Sequence, residues 1–464
     1  MLAPVTLDTT TLDTLPGPAG DSALDSAAPG AGTPPAPAVE DKPRWNLATR
    51  IAFRFSFLYF TLYVLTTQML GGLLPFNWAG GLGVAALTRS LIPWIGTHIF
   101  HIGYQYSFQS TGSGDKTVDY LQAFTLLMIG VAVTVIWSLL DRRRSSYPGL
   151  NKWFRLFLRF ALGTTMLSYG MVKAIPLQMS APGLQRLLEP YGHFSPMGVL
   201  WASIGASKGY EMFAGFMELT AAVLLFIPQL SLLGAMVAFA DSVQIFTLNM
   251  TYDVPVKLFS LHLILMSLVL IAPEASRIAR VLVFNRTAEP SQQPPLFRRR
   301  RLALIALALQ LGCGAYLTLD QYSGARQSWF QRGGGAPRIA LYGVWNIEQM
   351  TIDGQTRSPL VTDYTRWRRL LLQSATGLTF QRMDDTFLSY GAKTDMAAKT
   401  IALTTGPSTP AQIFTFQRPD PERLILDGTL DGHKIHMETR RFDPGKFPLL
   451  TRGFNWIQER PFNR

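Results

Sequence analysis

Seven runs of apolar residues, separated by connections of very different length, occupy about half of the chain between residues 51 and 319. Most of these runs have the roughly 17–25 residues that a helix needs to cross a bilayer. Their bounds are 51–72, 121–140, 154–175, 210–227, 231–248, 256–272 and 302–319. The pattern predicts a membrane all-α helix bundle of about seven transmembrane helices, within a helical domain at 44–320.

Beyond residue 320 the long apolar runs end, and apolar residues instead alternate with polar ones. In "RIALYGVWNI" apolar residues alternate, so that Leu341, Trp345 and Ile347 share one face of a strand. "RLILDGTLDGHKIHMETR" predicts a hairpin with Asp431 and its following glycine at the turn. Such short strands predict a C-terminal antiparallel β-barrel or sandwich at 336–464. A glycine two residues before the tryptophan of the first strand is typical of lipocalin-like barrels.

Basic residues flank the apolar runs and predict their orientation. Lys42, Arg44 and Arg50 precede the first run, "DRRRSSYPGLNKWFR" joins the second to the third, and "LFRRRR" precedes the last. Since Lys and Arg accumulate on the cytoplasmic side, seven spans place all three clusters inside. We expect a bacterial inner-membrane protein with a cytoplasmic N-terminus and a periplasmic β domain. The apolar segment 84–105 is therefore expected to be interfacial or re-entrant, since an eighth span would separate the clusters.

The composition of the chain supports a membrane protein and argues against a nucleic-acid partner. Hydrophobic residues make up 48% of the chain and charged residues 16%, below the roughly 25% charged residues of soluble domains. The formal net charge of +12 could suggest nucleic acid, but the basic residues lie beside apolar runs, so no nucleic-acid partner is expected. Residues 1–43 are predicted to form a disordered cytoplasmic tail. The single cysteine, Cys313, excludes an intramolecular disulfide and is expected to be buried.

Ionisable residues inside membrane spans are costly, and they are therefore candidates for a functional site. Glu218 and Asp241 lie at depth in the fourth and fifth runs. The connections between these runs are short, so the two carboxylates are expected to share a polar pocket that opens outward. Carboxylates at this depth could relay protons, which makes both of them candidate catalytic residues. Arg54 and Arg159, near the inner ends of their runs, are expected to snorkel to the surface.

Five further residues, four near the outer mouth and His262 several residues into the sixth run, are candidate ligands for a bound cofactor. They are Lys173, Glu211, Asp253, Lys257 and His262. The alternative is that they pair with one another and hold the helices together without binding a ligand. His98 and His101 could share one face of a helix, but further ligands are lacking and no metal site is predicted.

Three segments together resemble membrane proteins of the DoxX family. They are "YGMVKAIPLQ", "GYEMFAGFMELTAAVLLFIP" and "LNMTYDVPVKLFSLHLILM", and the resemblance covers about 150–275. It implies a four-helix membrane unit, in a family whose founding member is linked to quinone-coupled oxidation of sulfur compounds. The resemblance leads us to expect a quinone-linked, redox-associated subunit that works with a redox partner protein. Additional spans and the β domain distinguish the chain from the short members.

Two other functions remain open from the sequence. The pocket could accept a membrane lipid or another small amphiphile, which the outer barrel would then receive, because lipocalin-like barrels can hold one apolar ligand. Alternatively, the chain could be a non-catalytic membrane scaffold in which the polar residues only hold helices together. Whether the chain is an enzyme is left open.

Overall fold

The computed structural model describes residues 44–69, 73, 83–103, 106–109, 111–291, 293, 295–404 and 410–463, with the backbone alone for 83–89. The predicted tail at 1–43 lies outside the described residues. The helices are α1 (Leu47–Thr66), α2 (Gly83–His98), α3 (Thr117–Leu140), α4 (Pro148–Ala174), α5 (Leu184–Leu188), α6 (Pro196–Ala206), α7 (Lys208–Phe226), α8 (Ser231–Thr251), α9 (Lys257–Ile271), α10 (Ala275–Leu282), α11 (Arg300–Arg332) and α12 (Pro448–Thr451).

Five helical segments of the described chain are long and apolar enough to cross a membrane, as in a membrane protein. They are Thr117–Leu140, Lys208–Phe226, Pro228–Thr251, Lys257–Leu282 and Arg300–Arg332. These segments coincide with five of the seven predicted spans. The other two runs form α1 and α4, which are also long but carry arginine or lysine and many hydroxyl-bearing residues within their length. The membrane character is therefore confirmed, and the number of seven spans stays a prediction.

Helix α4 lies at the centre of the helical domain and packs most closely against α7. At their crossing, a Cβ atom added to Gly215 would lie 2.3 Å from the backbone nitrogen of Ala174, and one added to Gly170 would lie 2.9 Å from the Gly215 oxygen. Two glycines at the contact therefore let the two backbones approach each other directly. This crossing places the last turn of α4 beside the middle of α7.

The prediction that Arg54 and Arg159 snorkel is wrong. Arg54 is 1% exposed, and its guanidinium donates hydrogen bonds to Tyr147 Oη at 2.9 Å and to Ser138 Oγ at 2.8 Å. Arg159 is 9% exposed and donates to the Leu225 carbonyl oxygen at 3.0 Å. Both guanidiniums find oxygen acceptors on neighbouring helices, so they do not need to reach water.

Two other expectations concern the surface of the helical domain. The segment predicted to be interfacial contains α2, which has Pro93 within it and packs Ile92 and Ile95 against α3. The expectation that Cys313 is buried is wrong, because its side chain lies exposed on α11. A lipid-facing helix is apolar on its outer surface too, so an apolar run does not indicate which residues lie inside.

The C-terminal domain is a closed eight-stranded antiparallel β-barrel, with one further short strand at its edge. The strands are β1 (Gly343–Ile352), β2 (Gln355–Thr356), β3 (Trp367–Ser374), β4 (Gly377–Arg382), β5 (Phe387–Asp395), β6 (Thr400–Thr404), β7 (Gln412–Asp420), β8 (Arg423–Leu430) and β9 (His433–Arg441). Strands β3 to β9 pair in chain order, and β1 closes the barrel by pairing with both β3 and β9.

The predicted barrel or sandwich is thus a barrel, and the predicted β8–β9 hairpin is confirmed. Its turn contains Asp431 at φ 53° and Gly432 at φ 86°, a left-handed backbone that this residue pair tolerates. Large side chains fill the interior, among them Trp345, Met350 and Phe380, each at most 1% exposed. Small barrels of eight strands are commonly filled in this way.

The barrel contacts the helical domain through the connection between α4 and α7. The backbone nitrogen of Leu184 donates to Gln373 Oε1 on β3 at 2.8 Å. The Leu184 side chain packs with Val344 and Leu371 on the outside of the barrel. The barrel therefore lies on the side of the bundle where α4 ends and α7 begins.

Candidate functional site

Helices α4, α7, α8 and α9 surround a cavity of about 620 Å³. Most of its lining is apolar, which the prediction of a polar pocket did not anticipate. The polar and charged lining residues are Thr165, Tyr169, Lys173, Gln178, Tyr210, Glu218, Asp241, Gln244, Asn249 and Ser260. The cavity therefore combines an apolar body with a small polar region.

Helical periodicity explains how α7 and α8 present their residues to the cavity. On α7, Tyr210, Met217 and Glu218 follow the spacing of one helical face, and on α8 Val237 and Asp241 do the same. Glu218 and Asp241 both lie near the middle of their helices. The predicted depth and the predicted proximity of the two carboxylates to one pocket agree with this placement.

Lys173 and Glu218 form a buried ion pair on the cavity wall. Lys173 Nζ lies 2.6 Å from Glu218 Oε1, and the side chains are 9% and 3% exposed. Lys173 belongs to the last turn of α4, and helical side chains lean toward the N-terminus, so its ammonium reaches back toward the centre of the bundle. The same ammonium lies 5.9 Å from the ring centroid of Tyr169. The lysine that precedes the end of the helix thus points inward.

Several buried oxygen atoms around this pair have no hydrogen-bond donor among the described residues. They are Glu218 Oε2, Asp241 Oδ2 and Gln178 Oε1. All three residues line the cavity. Buried polar atoms are normally paired, so unpaired acceptors that face a cavity mark a place where a ligand group could bind.

Glu211 does not line the cavity. It is 1% exposed, and its Oε1 atom accepts a hydrogen bond from the backbone nitrogen of Met179 at 2.9 Å. This bond ties the start of α7 to the turn that follows α4. Its visible role is to hold the connection that covers the cavity.

Asp253 and Lys257 lie together at the start of α9, outside the cavity lining. Lys257 Nζ is 2.8 Å from Asp253 Oδ1, and 82% of the Asp253 side chain is exposed. The carboxylate of Asp115 accepts hydrogen bonds from the backbone nitrogens of Lys257 and Leu258, at 2.8 and 2.9 Å. Asp115 therefore caps α9 from a distant loop, where the first N–H groups lack partners within the helix.

His262 lies in a separate aromatic cluster. Its Nδ1–H donates to the Leu258 carbonyl oxygen at 2.7 Å, and Tyr59 Oη–H donates to its Nε2 at 2.8 Å. Its ring also stacks on Tyr63, with 3.8 Å between the ring centroids. Both ring nitrogens are thus occupied by protein groups, and the structure does not bring His262 to the Lys173–Glu218 pair.

The cavity opens between α7 and α8. Lining residues on these helices remain between 38% and 60% exposed, namely Tyr210, Phe213, Met217 and Leu233. The end nearest the barrel is covered by the connection between α4 and α7, through Met179, Leu200, Trp201 and Ile204. An apolar molecule in the surrounding bilayer could therefore enter from the side.

Sequence reasoning missed several residues that shape this site. Asn249 Nδ2 donates to Ser260 Oγ at 3.0 Å and joins α8 to α9 beside the cavity. A signal was available, since Ser260 is a polar residue within the sixth run and Asn249 directly follows the fifth. Gln178 gave no such signal, because it follows the run and resembles an ordinary loop residue.

Within the described residues, no group of three or more His, Cys, Asp or Glu residues could hold a metal ion.

Comparison with known proteins finds one informative relative. The chain is 32% identical over 138 residues to the uncharacterized protein YwoB of Bacillus subtilis (strain 168), and this alignment covers 79% of YwoB. The chain belongs to the YwoB family. The alignment spans 28% of this chain, so the YwoB relationship describes only one part of the molecule.

The other comparisons add no further name. No protein-family model matches the chain. No solved structure matches it either. Membership of the YwoB family assigns no activity, because the name of that relative states none.

Proposed function

We propose that this chain is an integral membrane protein that binds a membrane-soluble amphiphile inside a DoxX-like unit formed by α4, α7, α8 and α9. The single observation that carries the proposal is the cavity of about 620 Å³, whose apolar lining surrounds the buried Lys173–Glu218 pair and Asp241. Ligand pockets commonly have volumes of roughly 300–1,000 Å³ and few, convergent polar groups. The apolar lining suits the body of the ligand and the charged cluster suits its head group.

The path of entry supports a ligand that dissolves in the bilayer. Phe213 and Leu233 line the cavity and are 60% and 50% exposed on the outside of α7 and α8. In a membrane both side chains would contact acyl chains. A lipid or another amphiphile could then enter without crossing water.

Quinones belong to this class of ligand, and the resemblance to the DoxX family favours them. Lys173 could donate a hydrogen bond to a quinone oxygen, while Glu218 and Asp241 could exchange protons with the bound ring. The chain would then be a redox-associated subunit, and a partner protein would supply or accept the electrons.

The proposal includes seven spans, a cytoplasmic N-terminus and a periplasmic barrel. Its support is that α1 and α4 contribute buried residues to the same core as the helices that are apolar enough to span, including Val64 and Leu162. The basic clusters of the connections then lie on one side. The barrel lies on the opposite side, beside the end of α4.

The proposal is tested by identifying what stays bound to the full chain purified in mild detergent. Native mass spectrometry would compare the wild type with Ala240→Trp, which places an indole in the cavity lining at an exposed position. Val243→Trp is the matched control, because Val243 is 37% exposed on the same helix but does not line the cavity. We expect an amphiphile enriched over bulk lipid in the wild type and the control, and depleted in Ala240→Trp.

The identity of the bound molecule separates the candidate functions. A quinone supports the redox-associated subunit, and another lipid supports binding or transport. If the folded wild type and Ala240→Trp retain the same bulk lipids at the same levels, the binding proposal is wrong and a structural scaffold is favoured.

A further inference from the structure

The charged part of the cavity lining has more carboxyl groups than ammonium groups. Its charged lining residues are Lys173, Glu218 and Asp241, one ammonium beside two carboxyl groups. The ammonium is 2.6 Å from one Glu218 oxygen. With both carboxyl groups ionised, the cluster is negative overall, and its one cation already has a partner.

The buried atoms of the cavity lining that lack a hydrogen-bond partner are also acceptors. Glu218 Oε2, Asp241 Oδ2 and Gln178 Oε1 are all acceptor oxygens, each buried and without a donor among the described residues. Glu218 as a whole is 2% exposed, so its free oxygen is also deeply placed. Leaving a buried acceptor unpaired carries a free-energy cost. A ligand that supplies donors would recover part of this cost.

Anionic and acceptor-only head groups fit this arrangement less well. A sulfate or carboxylate head would approach Glu218 and Asp241 with the same sign of charge. A methyl ether or an ester has no proton to donate, so the free oxygens of these two residues would remain unpaired. A hydroxyl group can donate to one of the oxygens while it accepts from Lys173.

We infer that the polar end of the cavity selects an uncharged amphiphile whose head group donates hydrogen bonds, such as a long-chain phenol or polyol. The inference rests on the proposed function, since it names the class of amphiphile that the cavity binds. It identifies Glu218 and Asp241 as the acceptors that recognise the head group. In a redox setting, it favours the hydroxylated, reduced form of a quinone over the oxidised form.

The test uses two probes that differ only in their ability to donate. The full chain in lipid nanodiscs is titrated with 5-dodecylresorcinol and with its dimethyl ether, and binding is followed by tryptophan fluorescence. Both probes have the same apolar chain and ring, and neither needs a redox partner. We expect the resorcinol to bind at least about tenfold more tightly, since one or two recovered hydrogen bonds have that effect on Kd. Dodecylbenzenesulfonate should bind more weakly than the resorcinol.

Variants then assign the preference to specific atoms. Asp241→Asn replaces one acceptor oxygen with an NH₂ group of similar size, so the preference for the resorcinol should fall severalfold. Asp253→Asn is the matched control, because Asp253 is exposed and outside the cavity lining. This control should retain the full preference. Ala240→Trp should abolish binding of both probes.

The outcomes separate the inference from the proposed function. If the ether or the sulfonate binds as tightly as the resorcinol and loses its binding in Ala240→Trp, the cavity is a binding site but the inference is wrong. An unchanged preference in folded Asp241→Asn also overturns the assignment to Asp241. If no probe binds in a manner that depends on Ala240, the proposed function fails together with the inference.

Discussion

The barrel and the helix bundle both enclose an apolar interior, but large side chains fill that of the barrel, whereas the bundle contains a cavity. In the barrel, Trp345 and Phe380 are each 1% exposed and belong to one packed core. In the bundle, α4, α7, α8 and α9 border a cavity of about 620 Å³. Dense packing is the usual state of a protein interior, so a cavity of this size within one domain needs an explanation.

The two regions also differ in the surroundings of their buried charged groups. In the barrel, Arg366 is 1% exposed, and its guanidinium donates to the carbonyl oxygens of Ile347 and Trp367. In the bundle, Glu218 uses one oxygen for Lys173 and leaves the other without a donor. Arg366 leaves its Nε atom unpaired inside the packed barrel, whereas the unpaired oxygen of Glu218 belongs to a residue that lines a cavity. Incomplete pairing beside a cavity is therefore the better indication of a binding site than burial of a charge alone.

The largest expected effect tests the packed interior of the barrel. Trp345→Ala removes a side chain that is 1% exposed and that donates a hydrogen bond to the Leu341 carbonyl oxygen. Loss of a buried tryptophan costs about 3–5 kcal/mol of unfolding free energy. Hydrogen–deuterium exchange of peptides that cover β1 and β9 should accelerate accordingly.

Trp456→Ala is the control for this change, because Trp456 is 90% exposed. It should leave exchange in β1 and β9 unchanged. Equal protection in Trp345→Ala and in the wild type would show that the barrel interior tolerates a void, and the contrast with the bundle would then be lost.

A smaller effect is expected when the buried ion pair of the bundle is broken. Lys173→Met leaves Glu218 buried without its cation, and removing one partner of a buried pair typically costs about 3–5 kcal/mol. Because the pair faces a cavity, we expect about 3 kcal/mol, the low end of this range. The measurement is unfolding of the bundle by sodium dodecyl sulfate in mixed micelles.

Two further variants sharpen this result. Adding Glu218→Met to Lys173→Met should restore most of the stability, because no unpaired charge remains. Lys257→Met is the matched control, since its partner Asp253 is 82% exposed and exposed pairs contribute about 0–1 kcal/mol. Asp115, whose carboxylate is 3.7 Å from the same ammonium, keeps its two backbone N–H donors in this variant. If Lys257→Met destabilises the bundle as much as Lys173→Met does, burial does not distinguish the two pairs.

Local patterns predicted the parts of the molecule that depend on nearby residues. Apolar runs located the helices, alternation located the strands, and Asp431 with Gly432 located a hairpin turn. The depth of Glu218 and Asp241 also followed from their distance along each run.

Contacts between distant residues could not be predicted in this way. Asp115 caps α9 across 142 residues of sequence, and Arg54 reaches Ser138 across 84. Lys173, Glu211, Asp253, Lys257 and His262 looked equivalent in sequence, since each is a polar residue near an outer helix end. Only the helix crossings decide that Lys173 alone among these five lines the cavity.

The smallest expected effect lies at an exposed turn of the barrel, where charges are fully solvated. Asp353 accepts hydrogen bonds from His433 Nδ1 at 2.7 Å and from the Lys434 backbone nitrogen at 2.9 Å. These bonds, that from His433 first, lower the pKa of the Asp353 carboxyl below its ordinary value. A lowered pKa in the folded state contributes stability above the ordinary aspartate pKa, and this contribution is lost as the pH falls through the lowered value.

Asp353→Asn should therefore shift the guanidinium midpoint of the barrel slightly at neutral pH and not at all in strong acid. Near-UV circular dichroism of the barrel transition, measured at both pH values, provides the comparison. His433→Gln should reproduce most of the neutral-pH shift, because the histidine makes the largest contribution to the lowered pKa. A shift that persists undiminished in acid would mean that the geometry of the turn, and not the charge of Asp353, stabilises this end of the barrel.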